Sequence, residues 1–171
     1  MDEFLALAHH QEGGLDCIIA RLFNTVGPRQ SGQYGMVVPR FVERALAGEP
    51  LEIFGDGTQT RCFCHVHDTI RALKGLMEHD DAGEIYNVGS SQQISIGDLA
   101  RKVIEATGSS SSTVFVPYED AYGQGIEDML HRIPSTEKVN AAIGWQPTLD
   151  LDRILADVIA HVSAMRAVTA A

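Results

Sequence analysis

At 171 residues and 44% apolar content, the chain has the size and composition of one soluble domain or one large half-domain. No apolar run approaches the roughly 20 residues that a bilayer crossing requires, so no membrane partner is expected. A formal charge of −10 disfavours generic nucleic-acid binding, which needs a basic surface. Acidic residues and histidines stand at the N-terminus where a signal peptide carries basic and apolar groups, which makes the cytoplasm the expected compartment. Cys17, Cys62 and Cys64 cannot all pair, and their spacing is not that of a secreted disulfide framework; they are expected to be reduced.

Phe4, Leu5, Leu7 and Ala8 give residues 2–12 the spacing of a short amphipathic helix, which Gly13-Gly14 stops. Residues 17–23 form a continuous apolar run without helical period, the pattern of a buried parallel strand. After a polar loop over 29–35, Val37 to Ala47 predicts a helix with Pro39 in its first turn and Gly48 past its end. Leu51 to Phe54 is a short strand closed by Gly-Asp-Gly. Asp68 is placed to cap a helix over 69–78, and 85–88 is another strand. Ser95-x-x-Asp98 predicts a capping box for a helix ending at Gly108, followed by a strand over 113–117. Helices near 135–143 and 151–166 flank Gly144-Trp145-Gln-Pro147. Strands alternating with helices make the chain α/β. The strand over 17–23 and the one ending near His65 are expected to be the last strands of a doubly wound, Rossmann-like sheet, with bare edges that invite pairing with another chain.

The stretch Arg21-Leu-Phe-Asn24-Thr-Val-Gly27-Pro28-Arg29 runs an apolar strand into a turn presenting an amide, a Gly-Pro kink and two cations, the build of an anion-binding rim. Gly35-Met-Val-Val-Pro39-Arg40-Phe41, Phe54-Gly-Asp-Gly-Thr-Gln-Thr-Arg61, His65-Val-His-Asp68, Tyr86-Asn-Val-Gly89 and Leu149-Asp-Leu follow in order. In these motifs the chain resembles the C-terminal half of the extended short-chain dehydrogenase/reductase family, the NAD-dependent nucleotide-sugar epimerases, dehydratases and decarboxylases, including those acting on UDP-glucose and UDP-glucuronate. The resemblance implies the final strands of a Rossmann-like sheet (1–28 and about 61–80) plus a smaller α/β substrate-binding part (29–60 and 81–171). It also implies that the cofactor-binding half is absent and that Asp2-Glu3-Phe4-Leu5 lies just downstream of the family's catalytic lysine.

That half opens with a glycine-rich turn at a helix N-terminus that holds the dinucleotide pyrophosphate. Neither Gly55/Gly57 nor Gly123/Gly125 has the third glycine at the required offset. The family's catalytic pair is Tyr-x-x-x-Lys, in which the lysine lowers the pKa of the tyrosine. Four positions after Tyr34, Tyr86, Tyr118 and Tyr122 stand Val38, Ser90, Tyr122 and Ile126, so no catalytic residue is expected. The intact enzyme would use NAD to oxidise the sugar C4 hydroxyl; this chain alone is expected to bind no NAD and to turn nothing over.

Arg61, after the Gly-Asp-Gly turn, can fork onto two phosphate oxygens. By resemblance it grips the pyrophosphate of a UDP-sugar, the alternative being a surface arginine paired with Asp56 or Glu52. Asn24 by resemblance donates its amide to the substrate, and otherwise stabilises its own turn. Arg132 falls where the family often places a second pyrophosphate arginine. Arg21, Arg29 and Arg40 also sit in or beside the motifs. Val38 and Phe54 read first as core residues, in loops that in the family line the slot for the base. The family commonly has acidic residues where this chain has Cys62 and His67. Cys62-Phe-Cys64-His65-Val-His67 has the ligand types for zinc, but in an extended segment the cysteines and histidines face opposite ways, so no metal is expected. Three readings stay open: the nucleotide-sugar-binding part of a homo-oligomeric isomerase or lyase of this family, a stand-alone nucleotide-sugar-binding or interaction module without catalysis, and a split enzyme completed by a separate N-terminal subunit.

Overall fold

The structure, a computed structural model, describes residues 1–32, 36–122 and 129–169; the end of the polar loop at Gly35 and the Gly123/Gly125 pair lie outside them. The elements are α1 (Asp2–Gly13), β1 (Ile19–Leu22), β2 (Thr25–Val26), α2 (Val37–Ala47), β3 (Leu51–Phe54), β4 (Thr60–Cys62), β5 (Cys64–His65), α3 (Val66–Met77), β6 (Ile85–Val88), β7 (Gln93–Ser95), α4 (Ile96–Thr107), β8 (Thr113–Val116), α5 (Tyr118–Tyr122), α6 (Glu137–Ile143) and α7 (Leu151–Thr169). Among the described residues the strands form four pairs: β1 with β6, β2 with β5 and β3 with β8 in parallel, and β4 with β7 antiparallel. No helix among them is long and apolar enough to cross a membrane.

Two clusters carry the packing. Val38, Phe41, Val42 and Ala45 recur at helical spacing on α2 and meet Leu99, Ala100 and Val103 of α4 and Ile154, Leu155 and Val158 of α7, with Leu51 and Ile53 of β3 beneath. The second cluster gathers Cys64, Ala72, Leu76, Tyr86, Val88, Val139 and Trp145, which joins the β1–β6 pair to α3 and α6. The Ser95–Asp98 box forms: Ser95 Oγ accepts the Asp98 amide at 3.0 Å and donates to the Asp98 carboxylate at 2.6 Å.

The strand ending at His65 pairs with β2, and β1 pairs with β6. Two expectations change. β1 is parallel as expected but not buried: Ile18 and Ala20 rest against the second cluster, whereas Arg21 and Leu22 are exposed. A continuous apolar run anticipates cover on both faces, and here only one face meets the core. Helix α1 has no buried residue, and Phe4 and Leu5 are 81% and 60% exposed.

The second change concerns Asp68, which lies inside the first turn of α3 instead of capping it. His65 is the cap: its Nδ1 accepts the His67 amide at 3.0 Å, which leaves the proton on Nε2, 3.2 Å from Asp157 Oδ2 of α7. The Asp68 carboxylate, 2% exposed, instead accepts the Thr148 and Leu149 amides and the Thr148 hydroxyl, each at 2.9 Å, and an Arg71 N–H at 2.6 Å. Its backbone carbonyl accepts the Trp145 indole N–H at 2.9 Å. Burial pushes this carboxyl up, but the Leu149 and Thr148 amides, Arg71 and the Thr148 hydroxyl together hold it below its ordinary value.

A carboxyl with a depressed folded value stabilises the fold fully above its unfolded value, about 3.9, and loses that contribution as pH falls through the folded value. Asp68→Asn is therefore expected to cost about 1–3 kcal/mol at neutral pH, because the buried Thr148 and Leu149 donors lose a charged acceptor. It should also flatten the acid limb of a urea-melt series, and an acid limb identical to wild type would assign that limb to other carboxylates.

Candidate functional site

The strand ends named by the motifs meet on one side of the molecule. β1 runs through Phe23 into Asn24, whose φ of 39° is a left-handed conformation that asparagine tolerates. Its Nδ2 donates to the Cys62 carbonyl at 2.8 Å, and its carbonyl accepts the Cys64 amide at 3.2 Å, so Asn24 bridges the gap between β4 and β5. Gly27 follows because β2 lies directly on the start of α3: a Cβ there would stand 2.4 Å from Val66 Cγ1. The Asn24 amide is thus held by the scaffold, through a cross-chain bond and not through its own turn.

Arg61 is on β4, next to the carbonyl that Asn24 holds. Its Nη1 donates to the Thr60 carbonyl at 2.8 Å and to the Met129 carbonyl at 2.9 Å. Asp56 is bound by the Thr58 amide and hydroxyl, whose hydrogen bonds hold its carboxyl below the ordinary value, and Glu52 pairs with Arg44 at 3.1 Å. Arg132 places its guanidinium 5.3 Å from the centre of the Phe23 ring, adjacent to Asn24. The segment between Met129 and Arg132 is itself docked on β4, where Thr60 takes the Leu130 carbonyl through its amide and meets His131 Nδ1 at 2.9 Å. Asn24, Arg61 and Arg132 therefore stand on neighbouring segments: Asn24 holds the carbonyl of the residue after Arg61, and Arg132 lies over the ring of the residue before Asn24.

The other expected residues lie elsewhere. Val38 is 1% exposed and belongs to the α2–α4–α7 core, so its side chain faces no solvent. Phe54 is half-buried, with the Arg40 guanidinium 4.4 Å above its ring. Arg21 is tied to Glu3 of α1 by two bonds of 2.7 and 2.6 Å, and its hydrogen bond holds the Glu3 carboxyl below the ordinary value. Gln59 was not singled out from the sequence, although it sits inside the Gly-Asp-Gly-Thr-Gln-Thr-Arg motif and is 6% exposed.

The Cys62–His67 segment does not stay extended, since β4 ends at Cys62 and α3 begins at Val66. Cys62, Cys64 and His65 are buried while His67 is exposed. Burial pushes both thiols up, away from the thiolate form a metal requires, and His65 is occupied by the α3 cap and Asp157. Among the described residues no three His, Cys, Asp or Glu side chains gather in a metal-binding arrangement.

The model of the NAD dependent epimerase/dehydratase family matches residues 1–89. The chain belongs to this family. A UDP-N-acetyl-alpha-D-glucosaminuronate decarboxylase of Bacillus cytotoxicus is 38% identical over 160 residues, 93% of this chain and 50% of the relative. UDP-glucuronic acid decarboxylase 5 of Arabidopsis thaliana is 37% identical over 87% of this chain and 42% of its own length. Among solved structures, the UDP-glucuronic acid 4-epimerase of Bacillus cereus with UDP-glucuronic acid and NAD superposes with a TM-score of 0.85 at 27% identity, over 95% of this chain and 50% of that one. The UDP-glucose 4-epimerase of Thermotoga maritima with UDP-glucose gives 0.83 at 30% identity, over 98% and 51%. The chain thus spans about half the length of the relatives it matches, and its fold is that of the Rossmann-like epimerases over the shared part.

Because Asn24 holds the Cys62 carbonyl, its replacement is expected to weaken the fold even without ligand. Asn24→Ala should cost about 1–3 kcal/mol in a urea melt, from the unmet carbonyl and the strained φ. Asn24→Gly relieves the φ and should cost less; no loss in either variant would show that the bond carries no weight.

Proposed function

We propose that this chain is the nucleotide-sugar-binding part of an NAD-dependent sugar-nucleotide epimerase, dehydratase or decarboxylase, with Asn24, Arg61 and Arg132 facing the diphosphate and the Phe54 loop, with the backbone at Val38, facing the base. What supports the reading is that Asn24, Arg61 and Arg132 stand on neighbouring segments, joined through the Cys62 carbonyl and the Phe23 ring, and that an amide and two guanidiniums suit a ligand bearing two phosphates. UDP-sugars are the ligand class, since relatives and solved structures of the same fold are named for them. We assign residues 1–28 and about 61–80 to the cofactor side and 29–60 and 81–171 to the substrate side, with β6 lying beside β1 as the shared strand.

NAD chemistry is proposed for the intact family enzyme and not for this chain. Among the described residues β1 runs into β2 and β6 into β7, so neither leads through a glycine turn into a helix that could hold a dinucleotide. No tyrosine is followed four residues later by lysine. This chain's own residues bind and orient the diphosphate; the proton and hydride steps are not theirs.

The chain is expected to bind UDP weakly, since charge-assisted hydrogen bonds contribute about 1.5–3 kcal/mol each. In NMR titrations Arg61→Lys should weaken binding, because it keeps the charge but loses the fork, and Arg61→Ala should nearly abolish it. Added salt should weaken the wild type. Identical shifts in all three proteins would remove Arg61 from the site, and calorimetry showing tight NAD binding would overturn the division of labour.

Self-association is the second expectation. The β1 pair shows an exposed side, and α1 carries Phe4 and Leu5 in the open. Light scattering at micromolar concentration should report dimers or larger species; a sharp monomer would count against an interface at this edge.

A further inference from the structure

β1 and α3 each leave a side uncovered, and the two sides border the same space. The Ile19 and Phe23 amides donate to the Glu84 and Val88 carbonyls at 2.9 Å, toward β6. Strand alternation turns the N–H and C=O groups of Ala20 and Leu22 the other way, along an edge that no second strand pairs among the described residues. On α3, Ala72 and Leu76 are buried in the second cluster, against which Ile18 and Ala20 also pack. Further round the helix, Ile70, Leu73 and Met77 recur at helical spacing, Leu73 half-buried, Ile70 55% and Met77 86% exposed. The apolar arc of α3 is thus wider than the face this chain covers. Between that flank and β1 lies an open groove of about 730 Å³, lined by Ile18, Ala20, Leu73, Leu76 and Met77.

Charge is divided along the same helix. Exposed His67 and Arg71 stand toward its N-terminal end, whereas Glu78 and Asp80 follow its C-terminal end. Lys74, in between, reaches Glu78 only at 3.9 Å.

We infer that the β1 edge and the α3 flank of Ile70, Leu73 and Met77 form one interface with a second copy of this chain, which joins two β1–β6 pairs into a four-stranded sheet about a twofold axis. Antiparallel pairing of β1 with β1 of the second copy uses both open edges. α3 packs over the β1–β6 pair, so the second α3 falls about two strand spacings away, roughly 10 Å, the distance at which helices pack. The two α3 helices then run antiparallel: each Ile70 meets the other copy's Met77, Leu73 lies at the axis, and each acidic end faces the other copy's His67 and Arg71. A single operation thus answers the open edge, the apolar flank and the divided charge, and because it is isologous it closes at two copies. The inference rests on the self-association expected above, to which it adds the surface and the symmetry, and it is independent of the diphosphate reading.

Light scattering on a sizing column at micromolar concentration should give the wild type twice the mass of one chain. Met77→Glu alters a side chain that the single chain leaves exposed, so its thermal melt should match wild type at low concentration; it should weaken the dimer about tenfold or more, since the interface would bury a carboxylate. Leu73→Cys in a Cys17→Ser background should form an intermolecular disulfide under mild oxidation, because cysteines bridge only when their Cα atoms come within about 7 Å. Glu105→Cys, on α4, should not. A sharp wild-type monomer overturns the inference together with the expected self-association and leaves this face to the remainder of a longer family protein. A dimer that Met77→Glu does not weaken and Leu73→Cys does not cross-link overturns the inference alone, by placing the contact elsewhere, as on the Phe4 side of α1. Wild-type species larger than two copies that persist in Met77→Glu overturn the twofold closure and the inference with it.

Discussion

The Asp68 carboxylate is the point at which the C-terminal third of the chain is fastened to the rest. Its oxygens take the amides of Thr148 and Leu149, and its own carbonyl takes the indole of Trp145. Those three residues form the link between α6 and α7, so one buried anion fixes where α7 starts. The same α7 supplies Ile154, Leu155 and Val158 to the core against α2 and α4, and Asp157 to His65. A lone buried carboxylate would be strongly unfavourable; this one is met by four donors, which converts a desolvation penalty into a joint between distant segments.

The candidate site inherits its geometry from that joint. α3 begins one residue after the His65 cap, and β5, which precedes it, is paired with β2. Asn24 closes the break between β4 and β5 by holding the Cys62 carbonyl and accepting the Cys64 amide. Arg61 projects from the strand that Asn24 steadies, and Arg132 leans on the Phe23 ring beside it. A residue type that looks like a ligand donor is therefore also a brace. The two roles are compatible, because a brace on the strand carrying Arg61 keeps a guanidinium in a defined place without the ligand having to order it.

Exposure at β1 and α1 fits a chain that spans about half of its relatives. The apolar run over 17–23 has the composition of a strand covered on both faces, yet only Ile18 and Ala20 meet a cluster. Sequence composition records the environment for which a strand is suited, whereas burial depends on which other elements are in place.

Much of the fold was legible in the residues. α2, β3 and β6 have the expected bounds because helical spacing, Gly48 and alternating apolar residues are local signals, and α4 opens at Ser95 because a capping serine needs only its own first turn. The motif order likewise announced the family, and with it Arg61 and Asn24 as candidates. Misses came where a side chain's partner is remote in sequence. Asp68 has the chemistry of a helix cap, but the Thr148 and Leu149 amides that it binds lie about 80 residues away, and no local pattern reports them. Val38 was read as core and as slot lining, and packing against α4 and α7 resolved its side chain to the core. Gln59 passed unnoticed because a glutamine in a turn is ordinary until both of its acceptors, the Phe54 carbonyl and the Tyr118 hydroxyl, are known. Periodicity, caps and motif spacing thus determined the α/β class and most of the elements, since these depend on neighbours within a few residues. The tertiary structure alone decided which strands pair, which carboxylate is the joint and which amide ties Phe54 to Tyr118, because each of these is a contact between groups that the sequence keeps far apart.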